Sequence, residues 1–160
     1  MSNLGNIYNM DWDSLLFVGM GNRIKSDDGA GIYITQQLRK LGIKNIVIAE
    51  NGIENYIGKI NRKEPKSIVL IDAMDMGKKQ PGFYQLVPVK NLMNTTTNTH
   101  NLSLSTISSF LNIANPWVLG IQPENVSFGL ELSDKVKSAA DKIVRLLIEC
   151  YNSNQIKRKI

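Results

Sequence analysis

The chain has 160 residues, of which 42% are hydrophobic and 21% are charged, and its formal net charge is +5. This composition is typical of a globular protein and argues against extensive disorder. A single cysteine excludes an intramolecular disulfide, and the lack of a run of about 18 apolar residues argues against a membrane span. Few aromatic residues accompany the basic ones, so nucleic-acid binding is not favoured.

No internal repeat and no linker rich in proline, glycine or serine divides the chain. We therefore expect one domain over residues 1–160, with residues 1–13 as an N-terminal extension and residues 153–160 as a basic tail. The first 13 residues lack the apolar region of a signal peptide. The sequence thus favours a cytoplasmic monomer without nucleic-acid or membrane partners.

The first half of the chain alternates predicted strands with predicted helices. Residues 15–20 form an apolar run that ends in glycines, as in a strand covered on both faces. Apolar residues at helical spacing predict a helix over 29–41, which Gly42 ends. A second strand is predicted at 45–49, and a weaker helical pattern follows at 53–62.

The second half continues this alternation. Residues 67–71 predict a third strand, and a turn at 80–82 leads into a short strand at 83–87, which we expect at an edge of the sheet. A helix is predicted to begin at His100, and residues 117–121 predict a fifth strand.

The last helix has the clearest pattern, with Ser133 as its N-cap and Asp134 in its first turn. Its apolar stripe consists of Val136, Ala140, Ile143, Leu147 and Cys150. The alternation of strands and helices predicts an α/β fold. We expect a three-layer sandwich in which a mostly parallel, twisted, five-stranded sheet has helices on both faces.

Acidic residues follow two of the predicted strands. Asp27 and Asp28 come after the first strand, and Asp72 closes the third. Because ligands bind beyond the carboxyl ends of parallel strands, we expect these carboxylates at one edge of the sheet. His100, the only histidine, begins a segment that returns across the same sheet. Oxygen and nitrogen ligands of this kind suit zinc, nickel, cobalt or manganese, with positions left for a substrate.

Each residue of this set also has a simpler structural explanation. Asp27 and Asp28 could cap a helix, Asp72 could form a turn, and His100 could be a polar loop residue. Their combined placement is what favours a site. Nucleotide binding is disfavoured, because Ile24 replaces the third glycine of the phosphate-binding motif and the two acids would repel a pyrophosphate.

Four sequence blocks occur in order along the chain. They are Phe-Val-Gly-Met-Gly-Asn at 17–22 with Asp-Asp-Gly-Ala-Gly at 27–31, Ile-Asp-Ala-Met-Asp-Met-Gly at 71–77 with Pro-Gly at 81–82, Thr-His-Asn-Leu-Ser-Leu at 99–104, and Leu-Gly-Ile-Gln-Pro at 119–123. Together they resemble the endopeptidases that mature the large subunit of nickel–iron hydrogenases. The second and third blocks are similar to the branch that serves formate-hydrogenlyase and other energy-converting hydrogenases.

The resemblance implies an endopeptidase with aspartic-type residues at its site. Such an enzyme recognises nickel in the precursor of the hydrogenase large subunit and removes its C-terminal peptide. The precursor would supply the nickel, and other divalent metals could occupy the same site. The resemblance implies that Asp28, Asp72 and His100 contact the metal and carry the catalysis.

Further residues are expected to orient these ligands or to bind the substrate. They are Asn22, Asp27, Gly29, Asn51, Gly52 and Asp75. The chain departs from the family where many members have Asp-Gly-Gly, because it has Glu-Asn-Gly at 50–52. Some members also have glutamate in place of Asp28. Two alternatives stay open: a non-catalytic, chaperone-like module that checks for nickel, and a peptidase of the same fold with a non-hydrogenase target.

Overall fold

The computed structural model describes residues 4–94, 106–113 and 115–160, with the backbone alone at 93 and 94. Five strands within these ranges form one sheet. They are β1 (Leu15–Gly21), β2 (Ile46–Glu50), β3 (Ser67–Ala73), β4 (Tyr84–Pro88) and β5 (Trp117–Ile121). The prediction of five strands is confirmed, with differences of at most two residues at any strand end.

The sheet has the order β2-β1-β3-β5-β4. Strand β1 runs parallel to both of its neighbours, so that Val18 lies opposite Val47 of β2 and Leu70 of β3. Strand β3 is also parallel to β5, whereas β4 pairs with β5 in the antiparallel direction. The mostly parallel sheet and the edge position of the fourth strand are therefore confirmed.

Four helices lie entirely within the described residues and pack around the sheet. They are α1 (Gly5–Tyr8), α2 (Ala30–Lys40), α3 (Ile57–Arg62) and α4 (Asp134–Arg158), and shorter 3-10 turns occupy Ser26–Gly29, Ile53–Tyr56 and Val89–Asn94. The predicted start of a helix at His100 lies outside the described residues, but residues 106–108 are helical. None of the described helices has the length and apolar character that a membrane crossing requires.

Two hydrophobic cores lie on the two faces of the sheet. Because successive side chains of a strand point to opposite faces, Phe17 packs toward α2 and α4, whereas Val18 packs toward α3. Ile107 and Leu111 belong to the same core as Val18. The continuous apolar run of β1 is explained by this arrangement, which is the three-layer sandwich expected from the sequence.

The segment before β1 packs into the core beside α4. Leu4, Ile7 and Trp12 are buried there. The Trp12 ring lies 5.5 Å from the ring of Phe17 and 5.7 Å from that of Tyr151, measured between centroids. Part of the expected N-terminal extension, residues 1–13, thus belongs to the hydrophobic core.

Two glycines let α2 lie close against the carboxyl half of the central strands. A Cβ atom at Gly31 would overlap with the backbone oxygen of Ile71, and one at Gly19 would overlap with the side chain of Thr35. Only glycine permits such close approach. The tight packing places the turn before α2, which carries Asp27 and Asp28, directly beside the end of β3.

Candidate functional site

A cleft of about 350 Å³ lies at the carboxyl ends of β1, β2 and β3. Asn22 follows β1, Asn51 and Gly52 follow β2, and Asp72 closes β3, and all four residues line the cleft together with Asp28. Strand β2 lies on one side of β1 in the sheet, and β3 lies on the other side. The cleft is therefore at a topological switch point, where the order of the strands reverses. Ligands bind at this position in open α/β sheets.

Asp72 is the most buried acid of the cleft. Asp72 is only 8% exposed, and its Oδ1 atom has no hydrogen-bond partner among the described residues. Burial raises the pKa of Asp72 well above its ordinary value, the nearby Asp28 carboxylate raises it further, and the backbone of Ala73 lowers it. A buried carboxylate oxygen without a partner is costly, and such groups concentrate at functional sites.

Asp28 is brought to Asp72 by a turn that folds back over the end of β1. The Asn22 N–H donates to the Asp28 carbonyl at 3.2 Å, and the Asp28 N–H donates to the Lys25 carbonyl at 3.0 Å. Gly21 has a φ of +128°, and a Cβ there would overlap with the Asp28 carbonyl. Gly21 is therefore the residue that allows the two carboxylates to share one cleft.

Asp27 has a different environment from its neighbour. It is fully buried, and its Oδ2 atom accepts hydrogen bonds from the Glu124 and Asn125 N–H groups at 2.9 and 3.0 Å. Ser133 donates to the same carboxylate through its N–H at 2.7 Å and its hydroxyl at 2.8 Å. Asp27 thus binds the loop before α4. The Ser133 side chain, predicted to cap α4, makes no capping bond to that helix.

The two polar residues beside the acids are held by local backbone geometry. The Asn22 Oδ1 atom accepts a hydrogen bond from the Ile24 N–H at 3.1 Å, which closes a tight turn. Asn51 has a φ of +63°, and its N–H donates to the Gly21 carbonyl at 3.0 Å. Asparagine and glycine are the residues that tolerate this left-handed conformation. The departure from Asp-Gly-Gly therefore keeps a suitable residue at position 51.

Two charged residues of the cleft were not indicated by the sequence. Lys25 and Glu54 bring opposite charges to its walls. Beside the cleft, Arg23 donates to both oxygens of Glu50, from Nε at 3.1 Å and from Nη2 at 2.6 Å. The sequence offered one clue to Lys25, which lies between the two halves of the first block. It offered no clue that Glu54 would line the cleft.

The fourth sequence block fixes the loop that leaves β3. Gly120 leaves room for Met74, whose side chain would overlap with a Cβ there. Gln122 is buried and accepts a hydrogen bond from the Met76 N–H through Oε1 at 2.6 Å. Both contacts hold the chain just after Asp72.

Four predicted site residues are not among the described residues that line the cleft, and one of them is Asp27, which binds the loop before α4. Gly29 lines a neighbouring groove instead. Asp75 is exposed, and its Oδ1 atom accepts a hydrogen bond from the Gly77 N–H at 3.0 Å, which forms a turn. His100 lies outside the described residues, and within the described ranges no group of three histidine, cysteine or acidic residues could hold a metal ion. The roles assigned to all nine predicted residues stay predictions.

Comparisons with known proteins identify related chains. Residues 33–150 match the family of hydrogenase maturation proteases. The chain is 30% identical over 140 residues to the hydrogenase 3 maturation protease of Escherichia coli, with 84% of this chain and 88% of that protein covered. A protein of Methanocaldococcus jannaschii assigned to the same class is 32% identical over 148 residues, with 84% and 86% covered.

Solved structures show the same fold. The nickel–iron hydrogenase maturation protease HycI of Thermococcus kodakarensis superposes with a TM-score of 0.75 at 23% identity, covering 93% of this chain and 98% of that one. The maturating endopeptidase HybD of Escherichia coli superposes with a TM-score of 0.69 at 18% identity, covering 87% and 92%. At these identities the structural likeness concerns the fold.

Proposed function

Because the chain belongs to the hydrogenase maturation protease family, we propose that it removes the C-terminal peptide from the precursor of a nickel–iron hydrogenase large subunit. It would do so after recognising nickel that the precursor already carries. The nickel is then part of the substrate, and the precursor is the protein partner. The observation that carries the proposal is the pair of carboxylates, Asp28 and Asp72, in the cleft at the switch point of the sheet.

The chemistry of this pair fits a divalent cation. Two carboxylates close together repel each other, and burial adds to the free-energy cost of ionising Asp72. A cation between the two carboxylates would offset their repulsion and would favour the ionised form of Asp72. It would also bind the Asp72 Oδ1 atom, which lacks a hydrogen bond among the described residues. His100 would add an imidazole nitrogen, a ligand that nickel shares with zinc and cobalt.

In the proposed mechanism, Asp28, Asp72 and His100 hold the nickel of the precursor and so fix the nearby peptide bond in the cleft. Positioning of this kind contributes about 7–11 kcal/mol when the geometry is good. When bound, nickel can polarise a carbonyl group or acidify water. A carboxylate oxygen of the pair that does not contact the metal could accept a proton from water.

The other predicted residues would support the substrate and the ligands. Asn51 and Gly52 line the cleft beside the carboxylates and would form hydrogen bonds with a bound peptide. Asn22 and Asp27 would fix the turn that carries Asp28. Gly29 and Asp75 lie outside the cleft and would act by holding the loops on either side of it.

The test is to mix the purified protein with nickel-loaded and nickel-free precursor and to measure the intact mass of the large subunit. We expect loss of a C-terminal peptide only from the nickel-loaded form, and sequencing of the new C-terminus identifies the cleaved bond. Asp28→Ala, Asp72→Asn and His100→Ala should each reduce cleavage by at least about 100-fold. Glu149→Gln, which changes an exposed acid of α4, should cleave normally.

Two results would contradict the proposal. Binding of the precursor without loss of mass would identify a nickel-checking module instead of a peptidase. Normal cleavage by Asp28→Ala, Asp72→Asn and His100→Ala would show that the chemistry lies elsewhere.

A further inference from the structure

Residues 126–130 expose three large apolar side chains next to the cleft. Val126, Phe128 and Leu130 are 51%, 83% and 77% exposed. Ile24, which contacts this segment through its backbone, is 49% exposed. A group of large apolar side chains on one surface of a monomeric chain commonly marks an interaction site, whereas a single one does not.

The segment is held in place from both ends and from its middle. Asp27 binds the chain before and after it, at Asn125 and Ser133. In the middle, Ser26 donates to the Gly129 carbonyl from its N–H and to the Ser127 carbonyl from its hydroxyl, both at 2.9 Å. The apolar side chains are therefore presented to water by a preorganised backbone, and a partner would lose little free energy in ordering it.

A groove of about 700 Å³ adjoins this segment. Its apolar wall includes Ile24, Tyr33, Leu130 and Leu132. The groove is larger than the cleft that holds the carboxylate pair. It can therefore accommodate several side chains of a protein partner.

The charged groups of the groove leave an excess of negative charge. Arg23 and Lys137 are each already paired with a carboxylate. Glu131 and Asp134 also line the groove, and neither forms an ion pair with another residue in the described part of the chain. A basic side chain on the partner would complement these two acids.

The groove and the cleft are adjacent along the backbone. Ile24 lines the groove, and the next residue, Lys25, lines the cleft. The ion pair of Arg23 and Glu50 forms part of the groove wall, and Asn22 and Asn51, the residues next to them in the chain, line the cleft. A protein whose cleavage site occupies the cleft would therefore lie over the groove as well.

From this continuity we propose that residues 126–130 and the adjoining groove form a docking surface for the hydrogenase precursor. The surface takes an apolar segment of the precursor that carries a basic side chain, at a site separate from the cleaved peptide. The inference rests on the proposed function, because it adds a second contact for the same substrate. A second contact of this kind would favour binding of the whole precursor over a short peptide.

The experiment compares Phe128→Ser and Leu130→Ser with Ile156→Ser, a matched control at a 61% exposed position of α4. Binding of labelled, nickel-loaded precursor is measured by titration, and kcat and KM are measured by intact mass. We expect Phe128→Ser and Leu130→Ser to raise Kd and KM about tenfold each. The kcat at saturating precursor should be unchanged, and Ile156→Ser should match the wild type.

The outcomes separate the docking surface from the proposed function. If wild-type protein binds the precursor without cutting it, the proposed function is wrong, and the effect of Phe128→Ser on Kd still tests docking. If the precursor is cut and Phe128→Ser has normal KM, the docking surface is wrong and the peptidase stands. If the wild-type protein does not bind the precursor, both the proposed function and the docking surface are wrong. Light scattering that shows a dimer, which Phe128→Ser converts to a monomer, would assign the surface to a second copy of the chain.

Discussion

Asp27 and Ser133 lie 106 positions apart in the chain and are joined by two hydrogen bonds of 2.7 and 2.8 Å to one buried carboxylate. The residue next to Asp27 in the chain, Asp28, faces the cleft instead. The paired acids of the first sequence block therefore divide two tasks. Asp27 fixes the start of α4 against the turn, and Asp28 presents its carboxylate to the cleft.

Asp27→Asn should destabilise the fold. The carboxylate accepts bonds from four donors, and an amide would turn its own N–H groups toward some of them. Since hydrogen bonds to charged groups contribute more than neutral ones, we expect a loss of about 3 kcal/mol in the free energy of unfolding. Urea unfolding of the variant and the wild type measures this loss. Asp75→Asn, at an exposed turn, is the control and should lose less than about 1 kcal/mol.

The same measurement can contradict the role of Asp27. If Asp27→Asn and Asp75→Asn lower the free energy of unfolding equally, the buried hydrogen bonds of Asp27 make no net contribution to stability.

Asp72 should make the stability of the metal-free protein depend on pH. Its folded-state pKa is raised above the unfolded value, so the folded state binds the proton more tightly. The resulting stability is present below the unfolded pKa and is lost as the pH rises through the folded pKa. Each unit of difference corresponds to about 1.4 kcal/mol.

The test compares wild type with Asp72→Asn at about pH 4, near the ordinary pKa of aspartate, and at about pH 7, well above it. We expect similar free energies of unfolding at the lower pH and a more stable variant at the higher pH. Asp28→Asn removes the neighbouring charge and should shift the wild-type profile to lower pH. A difference that is constant with pH would argue against a raised pKa.

Gly31→Ala should disrupt the contact between α2 and the sheet. Its Cβ would overlap with the backbone oxygen of Ile71 and would lie 2.7 Å from that of Met20, and neither can move without shifting a strand. We expect a loss of at least about 3 kcal/mol, or failure to fold. Gly58→Ala in α3 is the control, because its nearest atom is the end of the Arg62 side chain at 3.4 Å.

Gly58→Ala should be neutral or stabilising by up to about 1 kcal/mol, since alanine favours a helix. Thermal or urea unfolding of the two variants gives the comparison. Similar stability of both would mean that the helix can move away from the sheet freely.

Position 51 should accept glycine but not a branched residue. Asn51 has a φ of +63°, which glycine adopts without strain and valine does not. We expect Asn51→Gly to change the free energy of unfolding by less than about 1 kcal/mol and Asn51→Val to lower it by about 1–2 kcal/mol. If valine were tolerated as well as glycine, the left-handed backbone here would not be required.

The sequence predicted the sheet well because its signals are local. The apolar run at 15–20 and the helical spacing at 29–41 follow from which faces of a strand or helix are buried. Since parallel strands place their carboxyl ends at one edge, the meeting of Asp28 and Asp72 could also be predicted before any coordinates. The four ordered blocks then indicated a family that the comparisons confirm.

Other features depend on contacts between distant parts of the chain. Asp27 and Asp28 look equivalent in the sequence, but hydrogen bonds from residues about a hundred positions away bury one of them. The motif predicts that Gly29 binds the substrate or orients the ligands, and only the folded turn shows that it lines the neighbouring groove. Trp12 was assigned to an extension, but it packs between Phe17 and Tyr151. No local pattern encodes such contacts.

The sequence by itself determined the strands, the class of fold, the family and the position of Asp28 and Asp72 at one edge of the sheet, because periodicity and motif spacing are properties of nearby residues. Tertiary structure decided which acid is buried, which side chains line the cleft, and which apolar residues stay in water. These are outcomes of packing between segments far apart in the chain, and burial and electrostatics are fixed only when those segments meet.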